Sequence, residues 1–549
     1  MKNPYIQYTL IFFVLFGIYA GLRSHTFFAP LAHDDGLFLY GGQAWAHGEL
    51  PYRDFWDHKP PGIFFYHSLP FSLFSFNVMA AKWHEVLWLT LSATLLFAFC
   101  KRRFLLSTSF FCVAAYVFFT SAPYTIRTGG LTEENALFFV VLCFWLILRR
   151  KGDLLHNAFF SGLALGVAFE FRQTYLLDVP FVIGALLHNA HYRGEKFKDV
   201  LKPFFAIFVG MAIPEIVISL YFLLHGEWFT YFDSSYLNNF YYIGPARPSK
   251  PWLDVWTEHH WPFILATGPY LFAPVLALGT RQWVPKDIRW MYVPLILAFG
   301  GDFISISLSG EYYEHYYVQA SVSSALLLAM FAEGLVQRGR QAWKEGILRF
   351  PSLRYAGIAL LLVAITLSSW YSGILRYRSD YQRAWNHHTQ DRGPYTFQRA
   401  VGEAVQAITA PDERILLIGR KPNSVYIFAG RYAGARYYHH SPLWKTKLYG
   451  SVKEYHKKAY MKDFRDNKPV VLILDQYIPR EFRAEEDFGW FQTFLPEFEP
   501  YIKENYVYLD EAVDGYPDSW WWYDIMARFK IRKDCVDSIR QRLREIAPE

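Results

Sequence analysis

A series of apolar runs, recurring from the N-terminus to about residue 375, limits what this chain can fold into. The runs lie near residues 5–22, 83–100, 104–122, 135–148, 155–171, 174–188, 203–224, 262–279, 291–309, 318–336 and 356–374. A helix needs about 20 apolar residues to cross a bilayer, and several runs are shorter, so their boundaries are approximate. We therefore predict an α-helical polytopic membrane protein with about 11 transmembrane helices. No small-residue cleavage site follows the first run, which we interpret as a retained helix.

The composition agrees with a membrane protein that also has a large polar part. Hydrophobic residues make up 53% of the chain and charged residues 19%, against about 25% charged in average soluble domains. Mean hydropathy is only +0.06, so polar segments must dilute the apolar ones. A net charge of +6 over 549 residues does not indicate nucleic-acid binding. The four cysteines show no CxxC or Cys/His spacing, which excludes the usual zinc and disulfide patterns.

The distribution of lysine and arginine predicts the orientation of these helices. If the N-terminus is cytoplasmic, the inside loops hold 18 basic residues and the outside loops hold 8. This asymmetry follows the positive-inside rule. An odd number of spans then puts everything after about residue 375 outside the cell's inner (plasma) membrane.

The part beyond residue 375 has the pattern of a folded polar domain. Short apolar runs at 415–418 and 470–474 and the segment 520–529 predict strands, and helical patterns lie near 395–408, 448–466 and 533–546. We therefore predict two domains: a transmembrane catalytic domain at 1–375 and an extracytoplasmic (periplasmic) α/β domain at 376–549.

The first outside loop, from about Arg23 to Lys82, is rich in polar residues. Its polar groups are His33-Asp34-Asp35-Gly36, Pro51-Tyr52-Arg53-Asp54 and Asp57-His58-Lys59-Pro60-Pro61. Most surface carboxylates are merely solvated. Here, however, the aspartate pair lies directly after a predicted membrane helix, and Lys59 follows in the same loop, which favours a functional site.

These segments resemble a known family. Asp-Asp-Gly-x-x-x-Tyr, Gly-x-x-Pro-Tyr-x-Asp and Lys-Pro-Pro are similar to the first periplasmic loop of GT-C glycosyltransferases. More narrowly, they resemble the bacterial protein-mannosyltransferase-like group of family 39, which includes the aminoarabinose transferase of lipid A. Further similar segments are Arg127 to Asn135, Gly162 to Phe169 with Arg172-Gln173-Thr174, and Ser309 to Tyr317. The resemblance covers about residues 5–375, and the C-terminal part matches only loosely.

The resemblance implies a glycosyltransferase whose donor is a sugar on a polyprenyl phosphate. Phosphate is already a good leaving group, so one carboxylate suffices, as the base that deprotonates the acceptor hydroxyl. The family pattern places that base at Asp34. The family usually has Asp-Glu where this chain has Asp-Asp, so Asp35 is a catalytic candidate whose role is less defined.

Cations near the leaving phosphate would stabilise the charge that develops on it. The resemblance gives this role to Lys59, and we add Arg172 and Arg127 as candidate contacts of the donor phosphate. Arg172 could instead snorkel to the membrane interface, and Arg127 could instead pair with Glu133 or Glu134. Glu133, Glu134, His315 and Tyr316 are candidate substrate-binding residues. Two adjacent aspartates could bind a divalent metal, which the proposed displacement does not require, so no cofactor is assigned.

Two other classes of function are open to such a chain. A transporter or flippase of lipid-linked sugars should carry ionisable groups near mid-membrane and show repeats, but Glu215 and Asp302 are the two such groups that we find. A sensor with an outer ligand-binding domain would leave the Asp-Asp and Lys-Pro-Pro loop unexplained. The expected partners are the polyprenyl-phosphate sugar, membrane lipids and an acceptor that is a glycan, a lipid or a protein.

Overall fold

The computed structural model describes most of the chain and divides it into two interleaved units. The described residues are 4–27, 31, 33–74, 78–150, 152–243, 251–267, 269–344, 375, 378, 394–418, 424–439, 450–474, 496–513 and 529–546. The first unit comprises Met1–Phe28, Lys82–Leu224 and Arg247–Asn386, and the second comprises Ala29–Ala81, His225–Ala246 and His387–Glu549.

Helices dominate the chain up to Lys344. In chain order they are α1 (Pro4–Leu22), α2 (His33–Ala46), α3 (Gly62–Phe74), α4 (Val78–Cys100), α5 (Leu106–Phe119), α6 (Pro123–Ile126), α7 (Thr132–Ile147), α8 (Leu154–Phe169), α9 (Val179–Tyr192), α10 (Phe197–Leu224), α11 (Trp228–Phe232), α12 (Asn238–Ile243), α13 (Trp252–Val255), α14 (Trp261–Thr267), α15 (Ala273–Thr280), α16 (Tyr292–Leu308) and α17 (Ser321–Lys344). Short 3-10 turns at Gln173–Asp178 and Glu314–Ala320 precede α9 and α17.

These helices confirm the prediction of a polytopic helical membrane fold. Within the described residues, five helices are long and apolar enough to cross a membrane, or up to six if one bent pair is a single span. Two further apolar helices, α5 and α8, are shorter, at 14 and 16 residues. Nine of the eleven predicted segments lie mainly on one helix each, whereas 262–279 falls on two short helices, α14 and α15, with a 3-10 turn between them. The remaining segment, 356–374, lies outside the described residues.

Glycines bring α8 and α10 into backbone contact in the first unit. A Cβ added at Gly162 would lie 2.1 Å from the carbonyl oxygen of Ile207, and one at Gly210 would lie 2.2 Å from that of Phe159. Small residues at such contacts are typical of helix pairs in membranes. The glycine-rich run of α8 is therefore explained by packing, and this packing fixes the helix that leads to Arg172.

The second unit contains a small mixed sheet. Its strands are β1 (Ile415–Ile418), β2 (Val471–Leu474), β3 (Tyr506–Tyr508) and β4 (Phe529–Arg532), in the order β1-β2-β4-β3. β1 and β2 are parallel, whereas β4 is antiparallel to both of its neighbours. The helices of this part are α18 (Pro394–Ile408), α19 (Ser424–Ala429), α20 (Gly450–Asn467), α21 (Phe498–Asn505), α22 (Leu509–Ala512) and α23 (Val536–Ile546).

The first outside loop packs into the core of this sheet. Trp56 lies in the same buried hydrophobic cluster as Leu416, Leu472 and Phe464. The main-chain N–H of Trp56 also donates to the carbonyl of Arg436, over 2.8 Å. The compact units thus differ from the predicted division at residue 375, because the loop folds with the C-terminal α/β part. Of the predicted strand at 520–529, residues 520–528 lie outside the described residues.

Candidate active site

In the second unit, α2 presents the aspartate pair at its first turn. Asp34 is partly exposed, whereas Asp35 is fully buried and accepts the main-chain N–H of Gly36 over 2.9 Å. Carboxylates at a helix N-terminus interact favourably with the helix dipole. The middle of α2 is fixed against α3, since a Cβ added at Gly42 would lie 2.4 Å from the Cβ of His67. The helix therefore holds Asp34 at a defined place.

The segment with the pattern Gly-x-x-Pro-Tyr-x-Asp folds into a tight turn. Tyr52 adopts a φ of 68°, which is uncommon for a residue with a side chain. Its main-chain N–H donates to the carbonyl of Phe55 over 2.6 Å, and the Asp54 carboxylate accepts the N–H of Leu50 over 2.7 Å. The turn places the buried Tyr52 hydroxyl where it donates to the carbonyl of Lys59, at 2.7 Å. This pattern thus supports the loop that carries the predicted phosphate contact.

Lys59 is held at three points. Its main-chain N–H donates to Asp57 Oδ1 over 3.1 Å, and its carbonyl accepts from Tyr52. Its side-chain Nζ lies 2.8 Å from Nε2 of His58. Two prolines follow and lead into α3, and proline restricts its own φ and the conformation of the residue before it. The backbone of Lys59 is therefore well ordered, and its ammonium is directed by a neighbouring ring.

Asp57 is the buried centre of this loop. It is 2% exposed, and its Oδ2 lies 3.9 Å from Nε2 of His439 in the C-terminal part of the same unit. Burial raises the pKa of the Asp57 carboxyl, the positive charge of Lys59 opposes that rise, and the negative charge of Asp34 adds to it. Asp34 is therefore near enough to act electrostatically on the group that holds Lys59. Asp34 and Lys59 both lie near Asp57 in the second unit, and their functional roles stay predictions.

The first unit brings four predicted residues into one cluster, which we call the Glu133 cluster: Glu133, Arg172, His315 and Tyr316. An amino group of Arg172 donates to Glu133 Oε1, and Nε2 of His315 lies 3.8 Å from the same oxygen. The Arg172 guanidinium carbon lies 4.2 Å from the centre of the Tyr316 ring. Glu133 is buried at 1% exposure, and the Arg172 side chain is 11% exposed. The charge of Arg172 is thus shared with a carboxylate.

Glu134 belongs to a second, separate group of charges. Its Oε1 accepts from Arg23 over 2.7 Å, and its Oε2 accepts the main-chain N–H of Leu131 over 3.3 Å at the start of α7. Glu85 lies 3.5 Å from Arg23 and 3.3 Å from Lys82, and all four charged side chains are buried. A Cβ at Gly129 would lie 2.2 Å from Arg23, so glycine there makes room for the guanidinium. This geometry favours a structural role for Glu134.

Arg127 pairs with neither of the acids suggested from the sequence. Its partner is Glu314, at 2.6 Å, and the two side chains are 46% and 34% exposed. Glu133 and Glu134 are already taken by Arg172 and Arg23. The sequence interpretation of an Arg127 pairing with either acid is therefore wrong, because two arginines distant in sequence are closer to them.

Glu215 and Asp302, the two acids within predicted membrane spans, have hydrogen bonds to nearby serines. Glu215 accepts from Ser219 over 2.8 Å, and the buried Asp302 accepts from Ser323 over 2.7 Å. Among the described residues, no group of three or more His, Cys, Asp or Glu side chains is arranged to hold a metal ion. The possible divalent metal therefore has no ligand set of that size in the described part of the chain.

The sequence reasoning missed several residues that organise the site. The sequence pattern shows Arg23 only as a basic loop residue, and it shows Asp57 and His58 only as neighbours of Lys59. The signals were their positions: Arg23 directly follows the first span, and Asp57-His58 directly precedes Lys59-Pro60-Pro61. No local signal marks His439, because its contact with Asp57 joins segments 382 positions apart.

Comparisons with known proteins agree with this architecture. The family model of dolichyl-phosphate-mannose-protein mannosyltransferase matches residues 58–219. The structure is similar to ArnT from Cupriavidus metallidurans bound to undecaprenyl phosphate, with a TM-score of 0.52 and 13% identity over 78% of this chain and 85% of that chain. The chain has a fold of the GT-C type.

Two other solved structures are similar to the structure of this chain. Archaeal oligosaccharyltransferase AglB from Archaeoglobus fulgidus, in complex with an inhibitory peptide and a dolichol-phosphate, has a TM-score of 0.48 at 12% identity and covers 94% of this chain and 74% of its own. ArnT from Cupriavidus metallidurans in the apo state has a TM-score of 0.49 at 11% identity, over 78% of this chain and 86% of that chain. The search of curated proteins gives no significant match.

Proposed function

We propose that this protein is a polyprenyl-phosphate-dependent glycosyltransferase, which moves a sugar from its lipid donor to an acceptor hydroxyl at the outer face of the membrane, with Asp34 as the base. One observation carries the proposal: the second unit places a partly exposed carboxylate, Asp34, beside the loop that orders Lys59. A base and a cation at one place are what a displacement with a phosphate leaving group requires.

The reaction would proceed in a single displacement. The acceptor oxygen forms a bond to the anomeric carbon while the bond from that carbon to the phosphate oxygen breaks. The proton of the acceptor hydroxyl passes to Asp34, and the polyprenyl phosphate leaves with one additional negative charge. Lys59 stabilises that charge, and its effect is larger in the transition state than in the bound donor because the charge is still developing.

The sequence also offers Arg172 and Arg127, which belong to the first unit, as candidate contacts of the donor phosphate. Arg172 is nearly buried and bonded to Glu133, so its net contribution is smaller than that of an unpaired cation. Arg127 is exposed and paired with Glu314, and salt screens such surface charges. We therefore assign the main phosphate contact to Lys59 and supporting roles to the two arginines. Glu133, His315 and Tyr316 are the candidates for contacts with the sugar.

Purified protein supplied with lipid-linked sugars from its own membranes provides the test. The protein should release polyprenyl phosphate, and mass spectrometry of outer-surface glycans from a deletion strain should reveal the missing acceptor product. The Asp34→Asn protein should release far less. Movement of intact lipid-linked sugar across vesicles without release of polyprenyl phosphate would instead support the transporter alternative.

The outer-face assignment has its own test, which rests on the charge asymmetry of the loops. A reporter fused after residue 380 should be active only outside the cytoplasm. A cytoplasmic signal would mean an even number of spans and would remove the second unit from the outer face.

A further inference from the structure

His58 lies between an acid and the predicted phosphate contact. Its Nδ1 is 3.3 Å from Asp57 Oδ1, and its Nε2 is 2.8 Å from Nζ of Lys59. A lysine ammonium has hydrogen-bond donors and no acceptor. The ring must therefore accept at Nε2, which leaves the proton of the neutral ring on Nδ1. This is the nitrogen 3.3 Å from Asp57 Oδ1, where the negative charge of the carboxylate favours a proton.

We propose that His58, with its tautomer fixed by Asp57, is a positioning residue that aims the ammonium of Lys59 at the donor phosphate. Lysine carries its charge on a flexible four-carbon stem. The bonds from Asp57 and Tyr52 fix only the main chain of Lys59. Among the described residues, His58 makes the one recorded contact to Lys59 Nζ. The His58 ring accepts one of the three N–H groups of the Lys59 ammonium, so two remain to bind a phosphate.

The surroundings of His58 hold this arrangement in place. The side-chain amide of Asn239 donates to the carbonyl of His58 over 3.0 Å, which fixes its backbone. His439 lies on the far side of Asp57, at 3.9 Å from Oδ2. The Trp56 ring centroid lies 6.5 Å from that of His58 and belongs to the hydrophobic core of the unit. The C-terminal α/β part thereby supports the loop that directs Lys59.

This inference rests on the proposed role of Lys59, and its test separates the two. The probe is undecaprenyl phosphate, titrated onto the purified full-length protein in nanodiscs, with undecaprenol as the ligand that lacks phosphate. His58→Asn places an amide near the position of Nδ1, so it keeps a polar N–H near Asp57 and loses the contact with Lys59. His58→Gln places an amide oxygen near Nε2, where Lys59 can still donate. Unfolding midpoints of all variants report on folding.

The expected order of affinity is wild type, then His58→Gln within about threefold, then His58→Asn weaker by about tenfold, since a hydrogen bond to a charged group is lost. In a Lys59→Ala background, His58→Asn should cost nothing further, because no ammonium remains to be aimed. Undecaprenol binding should be equal in all variants.

Three outcomes overturn the inference while leaving the role of Lys59 intact. His58→Asn could bind undecaprenyl phosphate as well as wild type while Lys59→Ala binds weakly. His58→Gln could lose as much affinity as His58→Asn. His58→Asn could remain harmful in the Lys59→Ala background, which would indicate a purely structural role. If Lys59→Ala itself binds undecaprenyl phosphate normally, the proposed phosphate contact fails instead.

Discussion

Two of the pairs of neighbouring carboxylates that begin helices, one in each unit, have different surroundings. Asp34 and Asp35 begin α2, where Asp34 is partly exposed and Asp35 is buried. Glu133 and Glu134 begin α7, where both are buried and each is bonded to an arginine. Sequence alone shows both as acidic pairs near the outer end of a span.

This difference in surroundings distinguishes the candidate base, Asp34, from carboxylates that are held by arginines. A carboxylate bonded to a buried arginine is stabilised in its charged form and is a weaker proton acceptor. It also cannot leave its partner without exposing an unpaired buried charge. The second condition applies to Glu134, which is buried and bonded to the buried Arg23. Asp34 is partly exposed, which suits a group that must meet an acceptor hydroxyl. The comparison therefore favours the first pair for base catalysis and Glu134 for organising the fold, while Glu133 stays a candidate for contacts with the sugar.

The largest expected effect is that of Asp34→Asn on transfer. The amide keeps the size of the side chain and removes its basicity, so the rate should fall by about 10²–10⁴-fold. Release of polyprenyl phosphate by the purified protein measures it. Asp35→Asn is the matched control at the next position. If Asp35→Asn abolishes transfer and Asp34→Asn does not, the base is Asp35. If both variants remain active, this loop does not contain the base.

Much of this comparison could be predicted from sequence. The helical segments and the GT-C type of fold follow from apolar runs and short motifs, which depend on nearby residues. The partners of Glu133 and Glu134 could not be predicted, because Arg172 and Arg23 are 39 and 111 positions away. A local pattern contains no information about which arginine meets which acid.

The same limit applies to the second unit. The strands at 415–418 and 470–474 were predicted because short buried strands are continuous apolar runs. That Trp56 joins their core was not predicted, because a lone tryptophan in a polar loop near a membrane is equally typical of an interfacial residue. Only the three-dimensional packing joins positions 56 and 416.

The second prediction concerns Lys59→Ala. Loss of one cation directed at developing charge typically lowers the rate by about 10²–10³-fold. Initial rates over a range of donor concentrations separate kcat from KM. We expect kcat to fall and KM to rise. Arg53→Ala is a control in the same loop, because Arg53 is exposed and pairs with Asp54 at 2.7 Å. Equal effects of the two variants would mean that general loop charge, rather than Lys59, matters.

The third prediction tests the structural side of the comparison. Glu134→Gln leaves Arg23 buried with only the more distant Glu85, and removing one partner of a buried pair costs about 3–5 kcal/mol. Its unfolding free energy, from denaturant titration in micelles, should fall near the lower end of that range because Glu85 remains 3.5 Å away. Glu133→Gln should cost less, since Arg172 is partly exposed and stacks on Tyr316. The reverse order would contradict the structural assignment of Glu134.

The smallest expected effect is that of the exposed Arg127–Glu314 pair. Surface ion pairs contribute about 0–1 kcal/mol, so Arg127→Gln should hardly change the unfolding free energy. Because Arg127 is proposed only as a supporting cation, Arg127→Gln should lower donor affinity by no more than about threefold. High salt should abolish that difference. The exchanged double variant, Arg127→Glu with Glu314→Arg, restores the pair but moves the positive charge. If donor affinity returns with the pair, Arg127 acts by holding the loop; if it stays low, the position of the charge matters.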